Sequence, residues 1–236
     1  KIETEKEIFE QKQTTFEKHN ENVYIDFEQE GLVPHKTSRE GPAIAVGDIN
    51  GDNRDDVFIG GATDEIAQLW IQNQAGDFIK RNSNDLGTDK LFEDTAALLF
   101  DADDDGDMDL YVGSGGNDAP SADEKLMDRL YLNDGRGNFT HAASALPNMR
   151  YNTSVIAAND FDADGDADLF IGNMGVSQIY GINPKQYLLE NDGHGNFTDV
   201  TEAKAYKLMD AGMVTDALWY DINNDERKEL IVVGEW

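Results

Sequence analysis

An acidic nonapeptide occurs four times in this chain: DINGDNRDD from Asp48, DADDDGDMD from Asp101, DFDADGDAD from Asp160 and DINNDERKE from Asp221. The first, third and fifth positions are always Asp or Asn. They are Asp48, Asn50 and Asp52; Asp101, Asp103 and Asp105; Asp160, Asp162 and Asp164; Asp221, Asn223 and Asp225. The ninth is always a carboxylate: Asp56, Asp109, Asp168 and Glu229. Oxygen donors alternating along a tight turn, closed by one more carboxylate, suit a hard cation such as Ca²⁺. The seventh residues, Arg54, Asp107, Asp166 and Arg227, are expected to contribute a backbone carbonyl. The pattern therefore predicts up to four calcium ions, one per loop. Gly165 and Gly106 at the sixth position permit a sharp bend, and Asn53 tolerates one. The loop from Asp221 carries Glu226 at that bend and Glu229 at its end, so it is expected to be the weakest of the four.

Other readings of the motif fail on its own residues. An EF-hand needs a bidentate Glu at its twelfth position, where this chain has Ile59, Val112, Ile171 and Val232. Tandem GGxGxD nonapeptides are absent. Acidic surface turns without an ion are disfavoured, because four to six carboxylates within nine residues repel one another strongly unless a cation intervenes.

The elements that must position these loops recur with them. An apolar run precedes each loop: AIAVG (43–47), AALLF (96–100), SVIAA (154–158) and DALWY (216–220). A second follows it: VFIGG, LYVGS, LFIGN and LIVVG. Then comes a hairpin, LWIQNQAGDF (69–78), LYLNDGRGNF (130–139) and LLENDGHGNF (188–197), whose Gly and Asn or Asp residues mark a turn. Loop starts lie roughly 53 to 61 residues apart, a period suited to four strands per unit. The expected fold is all-β, a β-propeller of four-stranded antiparallel blades. The division reads 41–94, 95–150 and 151–212 as three blades and 213–236 as the first half of a fourth. Residues 1–40 form an N-terminal segment in which KIETEKEIFEQKQTTFEKH could be a short helix and VYIDF (23–27) reads as a strand. The connections 114–128 and 173–185 carry Gly and Pro and are expected to be surface loops.

Composition narrows the partners. The formal net charge is −29, from 48 acidic against 19 basic residues, and no basic patch appears, which argues against nucleic acid and against an anionic membrane surface. Four divalent ions would remove about eight charges and leave the surface acidic. There is no cysteine, hence no disulfide, thiolate metal site or Cys nucleophile. No signal-peptide core and no apolar run of membrane-spanning length is present.

With the loops, the GG or GN after them and the NDGxGNF hairpins in hand, the chain resembles the FG-GAP/VCBS repeat family, the calcium-loop β-propellers typified by the integrin α-subunit head. It is similar in particular to bacterial surface VCBS proteins related to cartilage acidic protein. The resemblance rests on EGPAIAVGDINGD (40–52), SGGNDAP (114–120), DRLYLNDGRGNF (128–139), YLLENDGHGNFTDVTEA (187–203) and MVTDALWYDINND (213–225), and covers roughly residues 20–236. It implies ions held between the first and second strands of each blade. It also implies an extracytoplasmic location, secreted or on a bacterial outer surface or in the periplasm. Such propellers usually have about seven blades, so the remaining blades of a larger parent chain are expected, ahead of a small ring closed by the N-terminal strand.

No catalytic constellation is visible. His19 and His194 are expected to be solvated, and His35, which could face a site, is read as structural. No nucleophile elbow, HExxH or phosphate-binding Gly loop appears. Trp70, Trp219, Trp236, Tyr131, Tyr187 and Tyr220 are assigned to core packing rather than to a sugar platform. The sequons at Asn138, Asn152 and Asn196 are read as structural. Two function classes follow. One is a non-catalytic calcium-stabilised interaction or adhesion module that binds a protein or glycan on a propeller face. The alternative is a carbohydrate-active propeller, a lectin or a calcium-dependent polysaccharide lyase or hydrolase.

Overall fold

The computed structural model describes residues 14–34, 36–39, 41–82 and 86–235. The chain is all-β. Three four-stranded antiparallel sheets follow one another in strict sequence order, and a two-stranded sheet comes last. The first holds β1 (Ile44–Gly47), β2 (Asp56–Ile59), β3 (Gln68–Gln72) and β4 (Phe78–Arg81). The second holds β5 (Asp94–Phe100), β6 (Asp109–Ser114), β7 (Arg129–Leu132) and β8 (Thr140–His141). The third holds β9 (Asn152–Asn159), β10 (Asp168–Gly175), β11 (Tyr187–Asn191) and β12 (Phe197–Asp199); β13 (Val214–Tyr220) and β14 (Glu229–Gly234) make the last. The first strands of successive sheets, β1, β5, β9 and β13, lie side by side, as blades do around a propeller axis.

The core lies between blades, and strand periodicity explains it. Successive side chains on β6 point to opposite faces. Leu110 and Val112 pack with Phe58, Leu69 and Ile49 of blade 1, while Tyr111 packs with Leu169, Ile171 and Leu189 of blade 3. Both faces of β6 are therefore covered, and every residue in it is buried. Glycines within the second strands β6 and β10 make the close approach possible. A Cβ on Gly113 would fall 2.5 Å from Thr153 Cγ2, and one on Gly172 2.7 Å from Val214 Cγ1.

Antiparallel alternation sorts the connections. The acidic loops and the NDG hairpins share one end of the blades, and the β2–β3, β6–β7 and β10–β11 connections occupy the other. The N-terminal segment starts beside the blade 1 hairpin, runs along β4 and β3, and then crosses that second end as a strap. Phe16 stacks on Trp70 and Phe78 with ring centroids 5.0 and 5.1 Å apart, Asn22 donates to Asp118, and the Glu30 carboxylate accepts from Asn117 and from the Tyr180 backbone N–H.

Several expectations are corrected here. VYIDF is not a strand: a short helix, α1 (Asp26–Gln29), starts within it. The buried Asp26 carboxylate accepts hydrogen bonds from Thr37, Ser38 and Asn117, which pins the strap by side chains rather than by strand pairing. Among the described residues it adds no strand to a blade. The expected helix over residues 1–19 is not formed over 14–19, and its earlier part lies outside the described residues. The connection from Ser114 begins buried rather than on the surface, since Asn117 is a hub. Its amide donates to Asp26 and Glu30, and its carbonyl accepts from Ser177 and Gln178 of the next connection. His19 is largely buried, bonded at 2.9 Å to Glu21. His194 is exposed. His35 and Trp236 lie outside the described residues. Trp70, Tyr131 and Tyr187 are buried, Trp219 is half-buried with its indole N–H on the Ala157 carbonyl, and Tyr220 is exposed.

Candidate metal centre

Three of the acidic loops fold two or more backbone N–H groups around their first carboxylate, whereas in the second Asp101 accepts from Gly106 alone among the described residues. Asp48 accepts from the backbone N–H of Asn50, Gly51, Asp52 and Asn53. Burial works against the charge of Asp48, but these donors hold its carboxyl below the usual range. Asp160 accepts likewise from Ala163, Asp164 and Gly165, and Asp221 from Asp225 and Glu226. The wrap requires left-handed backbone at two places. The sixth position is Asn53, Gly106, Gly165 or Glu226 with φ of 61°, 92°, 110° and 70°. The fourth, which nothing in the sequence singled out, is Gly51, Asp104, Ala163 or Asn224 with φ of 74°, 60°, 65° and 60°.

The ninth residue is a buried clamp. One oxygen of Asp109 accepts from the Ala102 N–H in the loop and the other from the Asn133 N–H at the end of β7, both at 2.8 Å. Asp56 bridges Ile49 and Gln72 in the same way, and Asp168 bridges Phe161 and Asn191. Burial pushes the Asp109 carboxyl up to about 7 against the pull of those two donors. Asp56 and Asp168 are raised for the same reason. Glu229, one methylene longer, accepts from the Ile222 N–H and from the Asn223 amide.

In the second loop oxygens of Asp101, Asp103 and Asp109 all lie within 4.8 Å of one another, and in the third those of Asp160, Asp162 and Asp168 do. These are the first, third and ninth positions. The residues fit a cation on a further observation: Asp101 Oδ1 and Asp103 Oδ1, and Asn50 Oδ1 in the first loop, are buried without a hydrogen-bond donor among the described residues. Fifth-position carboxylates Asp52, Asp105, Asp164 and Asp225 accept the N–H of the seventh residue and stand outside those three-carboxylate groups. At the seventh position, burial and then Asp105, Asp103 and Asp101 push the Asp107 carboxyl up to about 6. A hydrogen bond with Asp164, then burial, raises Asp166 to about 6. Arg54 instead turns its guanidinium onto Asp52 and onto the Gln72 carbonyl. Arg227 and its loop are largely exposed.

The hairpins complete the loops of the preceding blade. The Asn133 amide donates to the Ile49 carbonyl of the first loop at 2.8 Å and to Met108 at 3.0 Å. Asn191 repeats this with Ala102 of the second loop at 2.8 Å and Ala167 at 3.1 Å. Sequence reading took these residues only as part of a turn. The signal was their column, in which blade 1 has Gln72. The sequon residues Asn138 and Asn196 are occupied in the same hairpins, donating to Asp134 and Asp192, and Asn152 is buried.

Successive antiparallel blades with an acidic, cation-compatible loop between the first two strands define a propeller-type repeat protein. Residues 101–171 match the FG-GAP-like repeat. The matched stretch holds the second and third acidic loops. Integrin alpha-V of Gallus gallus is 30% identical over 159 residues, a match that covers 58% of this chain and 15% of that protein. The chain spans about a seventh of that relative's length. Among solved structures, an Agrocybe aegerita lectin that recognises non-reducing terminal N-acetylglucosamine matches with TM-score 0.45 and 23% identity, over 66% of this chain and 36% of that one. A likeness of that degree carries no argument about this chain's ligand. Among the described residues no helix is long and apolar enough to cross a membrane.

Proposed function

We propose that this chain is a calcium-stabilised, extracytoplasmic propeller module that binds a protein or glycan partner and performs no catalysis. The observation that carries the calcium reading is the second loop, where Asp101 and Asp103 each have a buried oxygen without a donor among the described residues and cluster with the buried Asp109 carboxylate. A hard divalent ion supplies what these groups lack, a positive charge with no preference for a fixed direction. Extracytoplasmic calcium is millimolar, so sites of modest affinity fill there. The kinship with an integrin alpha chain supports an interaction role.

The strap end is the better face for a partner, because the NDG hairpins are committed to the acidic loops at the other. It carries a small indentation of ≈ 20 Å³ lined by Glu30, Val33, Asn117, Asn152, Met174 and Tyr180 among others. Calorimetric titration of the chelator-treated chain with CaCl₂ should give binding at micromolar to millimolar concentrations, with a rise in melting temperature. Asp103→Asn should remove one site. Absence of both heat and thermal shift would overturn the calcium reading. A glycan array and a pull-down, each with and without chelator, test the partner. Turnover of any polysaccharide would overturn the non-catalytic reading.

A further inference from the structure

The third loop already holds a cation of the chain's own. Lys204 is the last residue of α2 (Thr201–Lys204), in the connection from blade 3 to blade 4. Its Nζ lies 2.8 Å from Oδ2 of Asp162, the third-position residue of that loop. It also pairs with the Glu190 carboxylate on β11 and stands 5.0 Å over the Phe161 ring. The seat is specific to this blade. Glu190 occupies the column where the sister hairpins have Ile71 and Leu132, and Phe161 the one where they have Ile49, Ala102 and Ile222. In the second loop Asp103, the counterpart of Asp162, has an oxygen buried without any donor.

The geometry points to Lys204 as a built-in counter-cation that lowers the third loop's affinity for calcium and keeps that loop folded when calcium is scarce, leaving the second loop as the calcium-dependent one. This rests on the calcium reading above. The argument is electrostatic. An ammonium and a divalent ion on opposite sides of one carboxylate repel. Screened by water, that repulsion corresponds to about tenfold in affinity. Conversely, without the ion the ammonium offsets the crowding of Asp160, Asp162 and Asp168, a relief the second loop lacks. Both loops have an aspartate at every odd position, so the motif alone does not separate them.

The test combines calcium titration with amide hydrogen exchange on the full chain. Asp160→Asn identifies the third site in the titration as the step it removes. Lys204→Met should tighten that step about tenfold at low salt, and less in 0.5 M NaCl, while leaving the step removed by Asp103→Asn in place. Chelator should speed exchange in 101–109 more than in 160–168, and in Lys204→Met the two loops should respond alike. Glu190→Leu, the sister-blade arrangement, strips the ammonium of its second counter-charge and should move the third step in the opposite direction, to weaker binding. An unchanged or weakened third step in Lys204→Met, with the protein folded, would overturn the inference while sparing the calcium reading. A wild-type chain whose titration Asp160→Asn does not alter would overturn the third site and this inference with it.

Discussion

At the scale of single residues, the nine positions of each loop divide into two jobs that the motif alone does not separate. The ninth carboxylate holds backbone before it holds any ion. Asp109 accepts two buried N–H groups, from Ala102 and Asn133. Asp109→Ala orphans both donors, and each orphaned buried group costs about 1–3 kcal/mol. We therefore expect a loss of about 3–5 kcal/mol in stability even in chelator, read by denaturant unfolding. Asp103→Asn should be nearly neutral in chelator and destabilising only when calcium is present in the comparison. Equal losses for the two variants in chelator would refute the division. The clustering of the first, third and ninth carboxylates in the second and third loops and the bend at Gly106, Gly165 and Asn53 were legible in the sequence, because carboxylate spacing and positive φ are local properties. The left-handed fourth position was not, since Asp104, Ala163 and Asn224 give no hint of it. Nor was Lys204, which reaches Asp162 from 42 residues away.

At the scale of elements, the strands were legible because apolar runs and NDG turns recur in phase, and β6 and β10 are buried on both faces. The strap was not. Its apolar residues suggested a strand, yet Val23 and Leu32 are 93% and 90% exposed, and the segment is held instead by Asp26, Asn22 and Glu30. Such contacts lie far apart in sequence and leave no periodic trace. Blade-to-blade docking is likewise a long-range matter, and its polar part is testable. Asn191→Ala removes amide bonds to Ala102 and Ala167 and leaves two buried carbonyls short of donors. We expect about 2 kcal/mol of destabilisation. We also expect weaker calcium binding by the second loop, whose second residue Asn191 holds, rather than by the third loop of its own blade. Loss confined to the third loop would contradict this.

At the scale of the whole molecule, acidity is spread over both ends of the blades. Away from the loops, Glu93 is 2% exposed, accepts from the Thr63 N–H at 2.8 Å and has its other oxygen buried without a donor. Burial, with Glu21 of the strap and Asp118 and Asp94 nearby, pushes its carboxyl from 4.5 up to about 8. Between those values the folded chain keeps a proton that the unfolded chain releases. Stability should therefore fall as pH rises across that window, by on the order of 3–5 kcal/mol at full extent, and level off above it. Glu93→Gln should flatten this part of the profile in melts run from pH 5 to 9, and an unchanged slope would refute it. The amides of Asn133 and Asn191 carry a different consequence. Both reach backward, from a later hairpin to an earlier loop. A chain emerging from the ribosome thus cannot finish its first or second loop until the hairpin of the next blade has been synthesised, so for these loops maturation runs in one direction and lags translation by one blade.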